Sequence, residues 1–210
     1  MICLRLRLQS TQRVQSGLIG PERYANFTFR MPHRIVITGA PASGKSEFIE
    51  RLKTEPQFKD FVFLDEIARQ LLEQDPTYRE RWAEFHHEVY RKQIEQEKAL
   101  EGRSFITDRG TADAFAFHPE TAAHWGTTIE NEYRRYDEVI LLESTARLGE
   151  PYYIQDDIRT ESAEEVLALE RATINVWKDH PNFHIVRAEV DAEAKYEKFL
   201  QTLLRFLRER

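Results

Sequence analysis

Cysteine is nearly missing from this chain: Cys3 is the only one in 210 residues, so neither a disulfide framework nor a cysteine-based metal centre can form within it. No apolar run approaches the roughly 20 residues that a membrane-spanning helix needs. Positive charge is not in excess, because the net charge is −6. That leaves no electrostatic footprint for general binding to nucleic acid or to an anionic membrane surface. Internal repeats and low-complexity tracts are also absent. Together these absences point to a cytoplasmic protein with no nucleic-acid partner and no membrane span. With 41% hydrophobic and 31% charged residues, the length suits one well-buried α/β domain and is small for two.

Acidic residues are scarce in one stretch only. Arg5, Arg7, Arg13, Arg23 and Arg30 stand against the single acid Glu22, so the net charge divides into +4 before Met31 and −10 after it. Residues 1–30 are read as an N-terminal extension, disordered or a non-native start, and residues 31–210 as the domain proper. The alternatives are an extra strand or arm, since Ile2 to Leu8 alternates with period two, and a targeting peptide.

What the chain does have is Gly39-Ala40-Pro41-Ala42-Ser43-Gly44-Lys45-Ser46, a phosphate-binding loop with every fixed position of G-x-x-x-x-G-K-[ST] filled. Arg34 to Thr38 reads as a buried strand entering it, and Glu47 to Leu52 as a helix leaving it, the order the motif requires. Glycine permits positive φ, so successive backbone N–H groups can turn inward onto a polyphosphate at a helix N-terminus. All eight residues, Gly39 to Ser46, are assigned to nucleotide binding. Lys45 reaches the β- and γ-phosphates, and Ser46 supplies a hydroxyl to Mg²⁺. The cofactors expected are therefore ATP, or GTP, with Mg²⁺.

Further strands are expected at Phe61–Leu64, Ser104–Thr107, Glu138–Leu142 and Phe183–Val186, with helices between them. Thr77-x-x-Glu80 is expected to cap a long helix running to Leu100, and Ser162-x-x-Glu165 to cap one carrying Val166, Leu169, Thr173 and Trp177 on one face. Tyr196, Phe199, Leu200, Leu203, Leu204 and Leu207 recur at helical spacing near the end. Such alternation predicts a three-layer P-loop NTPase fold: a five-stranded, mainly parallel sheet with helices on both faces. Ligands bind at the carboxyl ends of such strands.

Two acids compete for the metal. Asp65 follows Lys45 by one helix and one strand, whereas Asp108 lies far enough on to belong to the strand beside the loop, so Asp108 is assigned to the Mg²⁺ shell. Glu66 is then left to orient or deprotonate an acceptor hydroxyl. Arg109 is a candidate for bidentate contact with phosphate or acceptor, and Arg147 and Arg159 for closing over the transferring phosphoryl group. The whole segment 143–161 is expected to act as a lid. His86 and His87 are read as surface or acceptor-side residues. No guanine-reading Asn-Lys-x-Asp motif is present.

Several of these stretches share an order and spacing with a known family. Gly39 to Ser46, Asp65-Glu66-Ile67-Ala68-Arg69, Phe105 to Gly110 with Asp113, Tyr136 to Leu142, and Asp156-Asp157-Ile158-Arg159 together resemble the NadR-type P-loop family. That family includes a kinase domain for nicotinamide riboside and related AAA-type domains such as the TRPL translocation defect protein. Asp108-Arg109-Gly110 is also similar to the corresponding triplet of deoxynucleoside kinases. The resemblance spans residues 33–207 and implies a kinase-like fold with a lid. Lys45, Glu66, Asp108 and Arg159 would be catalytic, and Asp65, Arg69, Arg109 and Arg147 would contact the substrate. The partners implied are a nucleotide and a small-molecule acceptor, with a regulatory, nucleotide-dependent ATPase or GTPase switch that binds a protein or lipid as the alternative.

Overall fold

Side chains alternate across the first strand, and that alternation sorts the core into two halves. In the computed structural model, which describes residues 32–154 and 161–209, β1 (Arg34–Thr38) points Ile35 and Ile37 to one face and Val36 to the other. Ile35 and Ile37 pack with Phe48, Ile49 and Leu52 of α1 (Lys45–Thr54) and with Tyr196, Phe199 and Leu203 of α8 (Ala192–Glu209). Val36 packs with Tyr90 of α3 (Trp82–Lys98), Phe115 of α4 (Asp113–Phe117) and Trp177 of α7 (Ala163–Trp177). All of these side chains are almost fully withdrawn from water, and each large one contributes roughly 1.5–3 kcal/mol by burial.

The remaining strands are β2 (Val62–Leu64), β3 (Phe105–Asp108), β4 (Glu138–Leu142) and β5 (Phe183–Val186). Their order is β2-β3-β1-β4-β5 and every pairing is parallel. The expected α/β fold is therefore present, and its sheet is parallel throughout. The strand carrying Asp108 does lie directly beside β1, with Ile37 in register with Asp108. β2 sits one place further out and delivers Asp65 and Glu66 to the same end of the sheet. None of the described helices is long and apolar enough to cross a membrane.

Two local expectations change. The Thr77 capping box does not form, because Asp75 precedes a proline and becomes the cap itself: its Oδ1 accepts from the Thr77 N–H at 3.0 Å and from the Thr77 hydroxyl at 2.6 Å. Pro76–Glu80 then closes as a 3₁₀ turn, and α3 begins only at Trp82. Between Gly110 and Asp137 the chain makes three five-residue helices, α4, α5 (Glu120–His124) and α6 (Ile129–Tyr133), too short for their periodicity to stand out in the sequence. The Ser162 box is present on both sides, with Ser162 and Glu165 exchanging hydrogen bonds. The expectations for residues 1–30 and for Asp156, Asp157 and Arg159 lie outside the described residues.

Gly110, just past β3, allows the second layer to close. A Cβ there would come within 2.7 Å of the Trp177 ring and 2.9 Å of Val36. Gly110→Ala is therefore expected to lower stability by about 1–3 kcal/mol through overpacking, read as a lower denaturant midpoint with an unchanged slope.

Candidate functional site

The loop from Gly39 to Gly44 is wound by three positive φ angles, 144° at Gly39, 56° at Ala42 and 86° at Gly44. At Gly39 the requirement is steric as well, since a Cβ would sit 2.3 Å from the Leu142 carbonyl oxygen. The winding turns the carbonyls outward, where partners hold them. Lys45 Nζ donates to Gly39 O at 2.8 Å, Ser144 Oγ to Pro41 O at 2.7 Å, the Thr145 N–H to Ala42 O at 3.1 Å and the Phe48 N–H to Gly44 O at 3.0 Å. Among the described residues, no backbone N–H from Ala40 to Ser46 donates to a protein acceptor. Inward amides above a helix N-terminus make an anion cradle.

A cleft of about 290 Å³ opens beside the loop, lined by Ser46, Asp65, Glu66, Arg69 and Asp108 among others. Five positions singled out in the sequence thus share one wall. Asp108 is 7% exposed, and its Oδ1 has no hydrogen-bond partner. Burial pushes its carboxyl up, only partly offset by the charge of Lys45. Glu66 goes the other way: burial would raise it, but Arg109 and Lys45 bring it down to about 2. Its Oε1 accepts from Arg109 Nε at 2.7 Å. Lys45, 8% exposed, is shifted downward by burial and by the neighbouring Arg109. These charges interact directly, so removing any one shifts the others.

The other assigned residues, of which Arg109 and Arg147 stand outside the cleft lining, differ in how firmly they are held. Arg109 adopts φ 72°, its carbonyl accepts from Gln93 Nε2 at 2.7 Å, and its guanidinium lies 4.9 Å from the Phe117 ring centre. Asp65 is exposed and pairs with Lys53 at 3.1 Å, while Arg69 is exposed at the rim. Arg147 is engaged away from the loop, donating to Glu170 at 2.5 Å and lying 3.4 Å from Glu143. The described start of the expected lid is tied down: Thr145–Leu148 is a 3₁₀ turn whose first residues hold the loop carbonyls, and Tyr153, 5% exposed, donates to Glu161 O at 2.7 Å.

Mg²⁺ is bound by hard oxygen ligands and keeps several waters, using one or two carboxylates plus phosphate oxygens. A serine residue and a buried carboxylate with one unpartnered oxygen, lining the same cleft, fit that donor set. Among the described residues no cluster of three histidine, cysteine or acidic side chains could hold a metal by itself.

Several residues behind the site carried no role in the sequence reading. Asp113 is buried and accepts from Thr38 Oγ1 at 2.5 Å, from the Gly110 N–H at 2.7 Å and from Trp177 Nε1 at 3.2 Å. It therefore locks β1, the turn after Asp108 and α7 together. Glu170, fully buried, accepts from the Ser144 N–H at 2.5 Å. An acid at the i+4 position from Val166 on an otherwise apolar helix face is the signal that could have found it.

Of the surface and acceptor-side alternatives, burial removes the first for His86, which is 5% exposed and stands in a group with His87, His118 and His124. The His87 and His124 rings stack at 3.6 Å, and His86 stacks on His118 at 5.6 Å and on Phe117 at 6.2 Å. Burial, with the neighbouring His118 and His87, lowers His86 to about 4. A histidine depressed when folded leaves stability intact above its unfolded value and erodes it below, as the unfolded chain takes up protons first. The melting temperature is thus expected to fall between about pH 6.5 and about pH 4. In His86→Phe that slope should be shallower by differential scanning calorimetry.

Comparison with known proteins agrees with this geometry. No curated protein matches the chain. A family described as an AAA domain matches residues 34–195, a span that begins at the first residue of β1 and takes in the loop, both acid-bearing strand ends and Lys195 of α8. With so much of its length matched, a wound loop at the end of the central strand and an all-parallel sheet behind it, the chain belongs to the AAA domain family of P-loop proteins.

Proposed function

We propose that the protein is an ATP-dependent, Mg²⁺-requiring kinase that transfers the γ-phosphate to a hydroxyl of a small nucleoside-like or metabolite acceptor. The observation that carries this reading is that Ser46, Asp108 and Glu66 line one cleft beside the loop. Bound Mg²⁺ would offset phosphate charge during transfer. The loop amides and Lys45 bind the phosphates, while Ser46 and Asp108 hold the metal's side of the cleft. Glu66, ionised at any ordinary pH and tethered to Arg109, is suited to orienting an acceptor hydroxyl through a hydrogen bond. Its low basicity makes it a poor acceptor of a free proton. Asp65 and Arg69 line the acceptor side, and Arg109 contributes to it through its bond to Glu66. Arg147 could approach a phosphate only by leaving Glu170, and Arg159 keeps the closing role that the resemblance implies. A cytoplasmic location is part of the same reading.

The test is a screen of nucleosides and related metabolites for acceptor-stimulated ADP release. A kinase is strongly accelerated by its acceptor. Basal hydrolysis unmoved by any acceptor would replace this reading with a regulatory ATPase or GTPase switch. Lys45→Ala is expected to remove the thermal shift caused by Mg-ATP. Asp108→Asn should raise the Mg²⁺ requirement, and Glu66→Gln should depress turnover by about 10²–10⁴-fold at nearly unchanged ATP affinity. Reversal of the last two effects would exchange the roles of the two acids.

A further inference from the structure

Beneath the loop, on the side away from the cradle, lies a lysine that the reading above leaves without a role. Lys195, in the first turn of α8, is 3% exposed. Its Nζ donates to Ser43 O at 2.8 Å and to Glu143 O at 2.6 Å, and it lies 6.0 Å from the Phe48 ring centre. Full burial of a lysine is rare and costly without compensating hydrogen bonds. The cost is met here at one particular place, the Ser43 carbonyl between the glycines of the loop and the end of β4. Pro41 O, Ala42 O and Gly44 O are held by neutral donors, so at Ser43 alone among the carbonyls from Pro41 to Gly44 the structure spends a second buried ammonium.

We propose that Lys195 is a positioning residue for the nucleotide site, its ammonium clamping the Ser43 and Glu143 carbonyls so that the neighbouring loop amides stay turned toward phosphate. This rests on the nucleotide reading of the loop. The charge sits behind the cradle and adds to the field of Lys45 and of the helix N-terminus, so loss of the ammonium acts on polyphosphate affinity twice, through shape and through charge. The groups facing it are Glu143 at the end of β4, Glu170 of α7, Glu189 before α8 and Lys45 of α1. Burial lowers Lys195 to about 8, with the three acids opposing and Lys45 assisting. The ammonium thus predominates at neutral pH, and clamping weakens as pH rises through that value.

The experiment measures Mg-ATP affinity of the full chain by calorimetry across about pH 7–9.5, in wild type, Lys195→Arg and Lys195→Met, with Lys45→Ala as control. Wild type is expected to lose affinity above about pH 8. Lys195→Arg, which stays charged throughout, should hold its affinity to higher pH. Lys195→Met should bind about tenfold or more weakly at pH 7, the scale of losing hydrogen bonds from a charged donor, and show a flatter profile. A Lys195→Met protein that binds like wild type would overturn the proposal. So would the same alkaline fall in wild type and Lys195→Arg, which assigns it to Lys45. Should Lys195→Met fail to fold, the comparison of wild type with Lys195→Arg decides alone. Failure of wild type itself to bind Mg-ATP, or equal binding by Lys45→Ala, would instead remove the nucleotide reading and the inference with it.

Discussion

A peptide loop can present its N–H groups to an anion only if something else binds the carbonyls that the same winding turns outward. That constraint organises this molecule. The carbonyls of Gly39, Pro41, Ala42, Ser43 and Gly44 are taken in turn by Lys45, Ser144, Thr145, Lys195 and Phe48. The donors come from α1, from the turn after β4 and from α8. Elements far apart in sequence therefore converge on one short loop, and the central position of β1 in the sheet is what lets them reach it from the neighbouring strand β4 and from the helices α1 and α8.

The acids around the loop differ by environment more than by chemistry. Asp108 and Glu66 stand at the ends of different strands of one sheet, yet burial raises the first and Arg109 holds the second near 2. A carboxyl short of partners accommodates a cation, whereas one already bonded to a guanidinium keeps its geometry. This division matches the two tasks assigned to them, and it follows from where Arg109 points. Arg109 is itself fixed by a left-handed backbone and by Gln93.

Much of this is legible in the sequence itself. Strands announced themselves because each is a short apolar run, and the separation of Asp108 from Lys45 implied that its strand adjoins β1. The loop and both strand ends stand out by motif and spacing. What stayed hidden were partners whose meaning depends on distant segments. Lys195 occupies the same helical face as Phe199 and Leu203, where a charge looks like a flaw in an apolar stripe until Ser43 and Glu143 are placed above it. Asp113, Glu170 and the histidines of α3 and α5 are similar, because no local pattern says that a buried polar group has found its mate 20 to 75 residues away. The cap at Asp75 was missed for a local reason: two capping residues compete, and the proline between them favours the first.

Trp177 lies fully buried with its ring against Gly110 and its indole N–H on Asp113, and Asp113 in turn holds the end of β1 and the turn that follows Asp108. The chain's other two indoles, Trp82 and Trp125, are exposed at 51% and 39%. One indole therefore senses the backbone behind the loop while the others sense solvent. Dry surroundings place the emission expected of that indole to the blue of the other two, so the protein should carry its own optical gauge of whatever strains the backbone behind the loop.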